Sequence, residues 1–230
     1  MSDTFSINFG EPVPLFPLPD CVLLPHATIQ LHIYEPRYRQ MTADALGGRS
    51  LIAMSLFEGD SWKENYLESP PLRPFVCVSM INRHEKLPDG RYNLQLQGLC
   101  RAQMIEEVDS DRLYRQAIVQ PTEIPAMMEI DMQDTRMRIV KLLNDPLLST
   151  VATINALSNY LCDEMPTTAL LDLAAMTCAG TMEERYEALC ETDPLARGRW
   201  VEQLLYRIGR SIEIAQRFMP AGDSDHYLSN

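Results

Sequence analysis

The feature that most limits the fold of this chain is a change of hydrophobic period around residues 121–125. Before it, apolar residues mostly alternate or run in short blocks; after it, they recur every three or four positions. Thr28-Ile-Gln-Leu-His-Ile33 sets Ile29, Leu31 and Ile33 on one face and Thr28, Gln30 and His32 on the other. Residues 51–57 and 75–81 are apolar runs of buried-strand length. Pro88-Asp-Gly90 supplies the positive φ angles of a tight turn, and Tyr92–Gln97 alternates again until Gly98, where a bulge is expected. Residues 113–119 offer a further strand. Such short strands joined by turns predict a partly closed β-barrel.

One helix interrupts this half. Pro36 suits a first helical position, Tyr38, Met41 and Ala45 share a side, and Gly47-Gly48 ends it. The polar stretch between Phe57 and Arg73 reads as a long surface loop carrying Trp62. In the second half Val151, Ile154, Leu157 and Leu161 form a stripe. Thr167 or Thr168 is placed to cap a helix reaching Cys178, and Thr181-Met-Glu-Glu184 has capping-box spacing. Asp193-Pro194 pairs an N-cap with a first-turn proline and opens a long helix to Met219, stopped by Pro220. The expected fold class is α+β, with three parts: β-rich residues 1–122, a helical subdomain over 123–220 and a flexible tail over 221–230.

Charge and composition narrow the function. The formal net charge is −12, with 32 acidic against 20 basic residues, and lysine occurs only at Lys63, Lys86 and Lys141. Phosphate neutralisation draws on Lys and Arg, so nucleic acid is not the expected partner. No segment approaches the roughly 20 apolar residues that span a bilayer. The first residues have neither a basic start nor an apolar run of signal-peptide length, so no membrane is expected and the expected location is the cytoplasm. There the six cysteines read as small buried hydrophobes rather than a disulfide framework.

Two N-terminal motifs carry a family likeness. Val13-Pro-Leu-Phe-Pro-Leu-Pro-Asp-Cys-Val-Leu-Leu-Pro-His26 and Leu31-His-Ile-Tyr-Glu-Pro-Arg-Tyr-Arg39 resemble the opening of the Lon protease N-terminal (LON substrate-binding) domain. Leu87–Leu94 resembles its later hairpin, Gly98-Leu-Cys-Arg101 its Gly-x-x-Arg segment, and Leu170-Leu-Asp-Leu-Ala-Ala175 one of its helices. The resemblance covers most of the chain. It implies a PUA-like barrel with one inserted helix, followed by helices. It also implies recognition of unfolded or specific client proteins and peptides, with a full-length Lon protease as a further possible partner. The chain departs from the pattern at His26, where the family often has glycine, and in Cys77–Ile81, which lacks the family's usual Gly and Arg.

The sequence gives little purchase to catalysis. There is no G-x-x-x-x-G-K-[ST] phosphate loop, and none of the three lysines lies in a segment resembling Lon's catalytic lysine motif. Neither C-x₂-C nor H-x₃-H zinc spacing occurs, so no metal or other cofactor is expected. A nucleophile pair of Cys21 with His26 or His32, as in a small hydrolase, is the enzymatic alternative. RNA binding, by analogy with other PUA-like barrels, is another. For recognition, Tyr34, Arg37 and Tyr38 present types that dominate interface hot spots, although they serve equally as helix-start and packing residues. His32 is a rim or interior histidine. The Trp62 loop is the place for adaptable contacts, and Met127, Met128, Met132 and Met137 make the junction between the halves soft. A peptide is expected to lie in a cleft between the β-rich half and the helices.

Overall fold

The computed structural model describes residues 8–66, 68–122 and 128–218. Strands β1 (Val13–Leu18), β2 (Thr28–Ile33), β3 (Leu51–Leu56), β4 (Phe75–Lys86), β5 (Tyr92–Val108) and β6 (Gln116–Pro121) form one sheet in the order β2-β5-β4-β3-β1-β6. Helix α1 (Pro36–Gly47) crosses between β2 and β3, which brings β3 parallel to β1. The sheet is not a closed barrel. It curls because β6 pairs with both β1 and the far half of β5, and it stays open between β1 and β2.

Two of these strands exceed the expected lengths. β4 and β5 continue as a ribbon to Lys86 and from Tyr92, and Asn82–Lys86 is exposed. Exposure on both faces removes the alternation that marks a half-buried strand, which hid this stretch in the sequence. The turn at Gly90 has φ +83°, as Asp-Gly predicts. β1 was concealed by Pro14 and Pro17, which remove two ladder donors.

At Gly98 the register slips: Val78 faces Cys100 but Ser79 faces Gly98, so Leu99 is the extra residue of a bulge. A Cβ on Gly98 would stand 2.3 Å from the Leu24 carbonyl oxygen, so glycine is required for the β1–β2 connection to pass. The Gly98 carbonyl accepts the His26 amide at 2.9 Å. His26 itself has φ +65°, the left-handed region, where the glycine implied by the resemblance would sit without strain. Its side chain is exposed rather than filling the surface beneath.

The stretch expected to be loop between Phe57 and Arg73 contains a one-turn helix, α2 (Trp62–Asn65). After it come α3 (Glu129–Leu143), a 3-10 turn (Leu148–Thr150), α4 (Ala152–Tyr160), α5 (Thr167–Cys178), α6 (Met182–Cys190) and α7 (Pro194–Phe218). The Thr181/Glu184 capping box opens α6 as expected, and Asp193 Oδ1 accepts the Leu195 amide at 3.0 Å at the start of α7. The cap of α5 differs. Thr167 is its first residue and is buried, and the Glu129 carboxylate of α3 accepts both its amide (2.9 Å) and its hydroxyl (2.7 Å). A neighbouring helix thus supplies the anion that a helix start favours. Met127, Met219, Pro220 and the tail expected over 221–230 lie outside the described residues.

Two apolar clusters hold these elements. Val13, Leu15, Ala53, Val78, Ala102 and Val119 fill the inside of the curl. The larger cluster begins at Phe16, Leu23 and Met41 and continues without a break through Met132 and Ile139 of α3 to Leu170, Val201 and Leu205. β3 reads as a continuous apolar run because Leu51 and Ala53 serve the first cluster while Ile52, Met54 and Leu56 serve the second.

Where the two halves meet, a buried charged group lies beside this apolar contact. Arg101 of β5 donates to both oxygens of Asp172 on α5, one at 3.1 Å, and to the Ala188 carbonyl at 3.3 Å. Arg197 of α7 lies 3.2 Å from Asp172 Oδ1 and donates to the Glu191 carbonyl at 2.9 Å. All three side chains are buried.

Candidate functional site

The gap between β1 and β2 is a cleft of about 550 Å³. One wall is the end of β1, with Phe16, Leu18 and the following Pro19-Asp20; the other is Leu31–Tyr34 along β2. Tyr38 closes the floor, packed on Phe16 with ring centroids 4.6 Å apart, its hydroxyl donating to the Pro17 carbonyl at 3.3 Å. Trp62 and Tyr66 form the rim. Both rest on Phe57, Trp62 stacked at 5.7 Å and Tyr66 edge-on at 5.9 Å.

Arg37 fixes this rim. Its guanidinium carbon sits 4.5 Å from the Tyr38 ring centre and 4.4 Å from that of Tyr66, in contact with both rings. Glu35 accepts Arg37 Nε at 3.0 Å with one oxygen and the Tyr66 hydroxyl at 2.8 Å with the other. Burial, reinforced by that bond to a carboxylate, pushes the Tyr66 phenol up, so it stays protonated and keeps donating. Of the two readings of Tyr34-Glu-Pro-Arg-Tyr38, the helix-start and packing one is what the structure displays: Arg37 pairs with a carboxylate and Tyr38 packs on Phe16 of β1. Glu35 precedes the first turn of α1, and the same residues tie down the Trp62 segment.

His32, Tyr34, Tyr38 and Trp62 line the cleft together, and Arg37 stands behind it. Tyr34 is 63% exposed at the edge. His32 sits on the rim and takes no part in the core: its Nδ1 lies 2.8 Å from Asn93 Oδ1 and its Nε2 3.2 Å from Arg91 Nη1. A proton on Nδ1 satisfies both contacts, since Arg91 can only donate. Met128 is 69% exposed but does not line this cleft, and Met132 corrects the expectation made for it. With 0% exposure it is a core residue of α3 and offers nothing to a partner. The main cleft also lies within the β-rich half rather than between the halves. A neighbouring depression of about 480 Å³, sharing Pro19 and Trp62, reaches the helices at Met182 and Glu183.

Sequence reasoning overlooked Phe16, Leu18 and Tyr66. Tyr66 had a readable signal, since it follows Trp62 at one helical turn inside an otherwise polar stretch.

Burial lifts the Cys21 thiol to about 11, with Asp20 adding to the rise, so the thiolate that a Cys–His nucleophile requires is scarce at neutral pH. Among the described residues no group of three His, Cys, Asp or Glu side chains is placed to hold a metal ion. No helix among them is long and apolar enough to cross a membrane.

Comparison with known proteins agrees with this architecture. Residues 12–207 match the model of the ATP-dependent protease La (LON) substrate-binding domain. The Lon protease of Chloroflexus aggregans is 26% identical over 205 residues, covering 85% of this chain and 24% of that protein. That of Desulfosudis oleivorans is 28% identical over 113 residues, 49% of this chain and 14% of the relative. The chain thus spans about a quarter or less of these relatives. In fold it is similar to the N-terminal domain of the Mycobacterium avium complex Lon protease, with a TM-score of 0.65 at 14% identity. It is also similar to the Lon N-terminal domain protein of Xanthomonas campestris, with a TM-score of 0.56 at 21% identity. Each alignment covers 85% of this chain and 98% of the other. With the family model matched across nearly all of the described residues, the chain belongs to the LON substrate-binding domain family.

Proposed function

We propose that this chain is a non-catalytic recognition module that holds segments of other polypeptides in the cleft between β1 and β2. The observation that carries the reading is the cleft itself: an apolar, aromatic-rimmed groove whose rim is fixed by an ion pair, on a chain of this family. Concave apolar sites with a few oriented polar groups are where proteins hold ligands. Rigid aromatic anchors also lose little entropy when they are covered. The clients are unfolded or locally extended proteins in the cytoplasm, and delivery to a full-length Lon protease is the natural use of such capture.

The test is direct binding of a permanently unfolded, reduced and carboxymethylated polypeptide, followed by fluorescence anisotropy. Trp62→Ala is expected to weaken it about tenfold, the scale of an aromatic hot spot. Met128→Ala, outside the cleft, is expected to leave it unchanged. Equal affinity of Trp62→Ala and the parent chain would remove the cleft from the reading.

A further inference from the structure

The ribbon formed by β2, β5 and the outer half of β4 has two strand edges without a strand partner among the described residues, and they differ. On β4, pairing with β3 stops at Met80, and the free stretch that follows is Asn82-Arg-His-Glu-Lys86. Charged side chains on an open edge are the usual protection against unwanted strand addition. On the opposite side β2 pairs only with β5, and its sequence, Thr28-Ile-Gln-Leu-His-Ile33, has no Lys, Arg, Asp, Glu or Pro. The unprotected edge is the one that opens into the cleft, through Leu31–Tyr34. Across the cleft, β1 is also unpaired on that side beyond Leu15, because β6 meets it only at Val13 and Pro14 and through the Leu15 amide.

Charge selects the occupant. The cleft lining includes Asp20 and Glu35 and neither lysine nor arginine. Glu35 is already engaged by Arg37 and Tyr66, whereas Asp20 is exposed at the mouth. The chain as a whole carries −12, so an acidic segment is repelled and a basic one drawn in.

We propose, building on the recognition reading above, that the bound segment adds to the free edge of β2 as an extended strand. It alternates apolar and polar side chains, and a lysine or arginine beside the apolar residue meets Asp20. Alternate backbone groups of an edge strand point outward, so they bond the incoming main chain irrespective of its sequence. Side chains of one parity then enter the groove beside Leu31 and Ile33, and those of the other lie over Gln30 and the rim residue His32.

The test uses the whole chain and a labelled ten-residue peptide of alternating leucine and polar residues with one lysine. Two derivatives are N-methylated on alternate residues, one on each parity, and a third replaces lysine with glutamate. One methylated series is expected to lose about tenfold in affinity or more and the other to bind as the parent, because only one parity of amides faces β2. The glutamate peptide is expected to bind about threefold more weakly, and Asp20→Lys to reverse that preference. Equal tolerance, or equal loss, in the two methylated series overturns strand addition while leaving recognition intact. An unchanged lysine preference in Asp20→Lys overturns the role of Asp20. Absence of binding by every peptide and by the unfolded polypeptide overturns both this inference and the reading on which it rests.

Discussion

The chain uses arginine–carboxylate contact in two places for opposite purposes. Inside, Arg101 and Arg197 converge on Asp172 with every side chain buried, joining β5, α5 and α7. At the cleft, Arg37 meets Glu35 with both side chains about a fifth exposed and two tyrosine rings against the guanidinium. The interior group has exchanged hydration for fixed partners, so loss of one member leaves the others stranded in a poorly polarisable medium. The cleft group keeps water at its margin, and loss of one member is largely solvated. One arrangement therefore bears on how the halves dock beside their shared apolar core, and the other on where an aromatic rim sits.

The largest expected effect breaks the interior side of that comparison. Asp172→Asn keeps the shape and removes the charge, which leaves two buried guanidiniums facing an amide. A loss of about 3–5 kcal/mol in urea unfolding is expected, a large share of the stability of an ordinary domain. The triple replacement Arg101→Met, Asp172→Leu, Arg197→Met sharpens the point. Stability close to the parent would show that the charges specify how the halves dock without adding net stability.

Arg37→Ala tests the cleft side. It removes two ring contacts and one ion pair at a partly wet site, so about 1 kcal/mol of global stability is expected to go. Binding should suffer more, by about tenfold, because the Trp62 segment loses its staple. Acrylamide quenching of Trp62 fluorescence in a Trp200→Phe background should rise in parallel. Arg37→Lys should recover little, since a compact ammonium cannot lie flat against both rings as a planar guanidinium does. A stability loss as large as that of Asp172→Asn would erase the distinction between the two sites.

What the sequence made legible was local. The alternation in β2, the Asp-Gly turn, the proline opening α1 and the capping box of α6 each depend on neighbours a few positions away, and each is found where it was expected. The interior triad depends on residues 71 positions apart, so no periodicity announces it. Arg101 follows Gly98 in one family-like segment and Asp172 lies within another, and only the fold shows that these segments meet. The cleft was half legible. His32, Tyr34, Tyr38 and Trp62 come together because β2 runs directly into α1 and the α2 segment folds back over that junction. Met132 was misplaced because an unbranched apolar side chain suits a core and an interface alike, and only its burial distinguishes them.

The smallest expected effect separates burial from connectivity. Arg73, before β4, donates to both oxygens of Glu183 on α6 at 2.9 and 2.8 Å, so it links the same two halves as the interior triad. Glu183, however, is 60% exposed. If joining the halves were what mattered, Glu183→Gln would cost as much as Asp172→Asn; if burial matters, it should cost about 0.5 kcal/mol, the ordinary worth of an exposed pair. Its pH dependence gives a second check. The Arg73 hydrogen bonds hold the Glu183 carboxyl below its ordinary value in the folded chain. Such a group contributes stability that is complete above the unfolded-state value and is lost as pH falls through the depressed folded one. In urea titrations taken downward from neutral pH, the gap between the parent and Glu183→Gln should therefore close only below the ordinary glutamate range. A gap that persists into acid would mean that Glu183 contributes through its uncharged side chain and not through the charge pair, because the Phe75 amide bond to the Tyr186 hydroxyl at 3.0 Å is common to both chains and cancels.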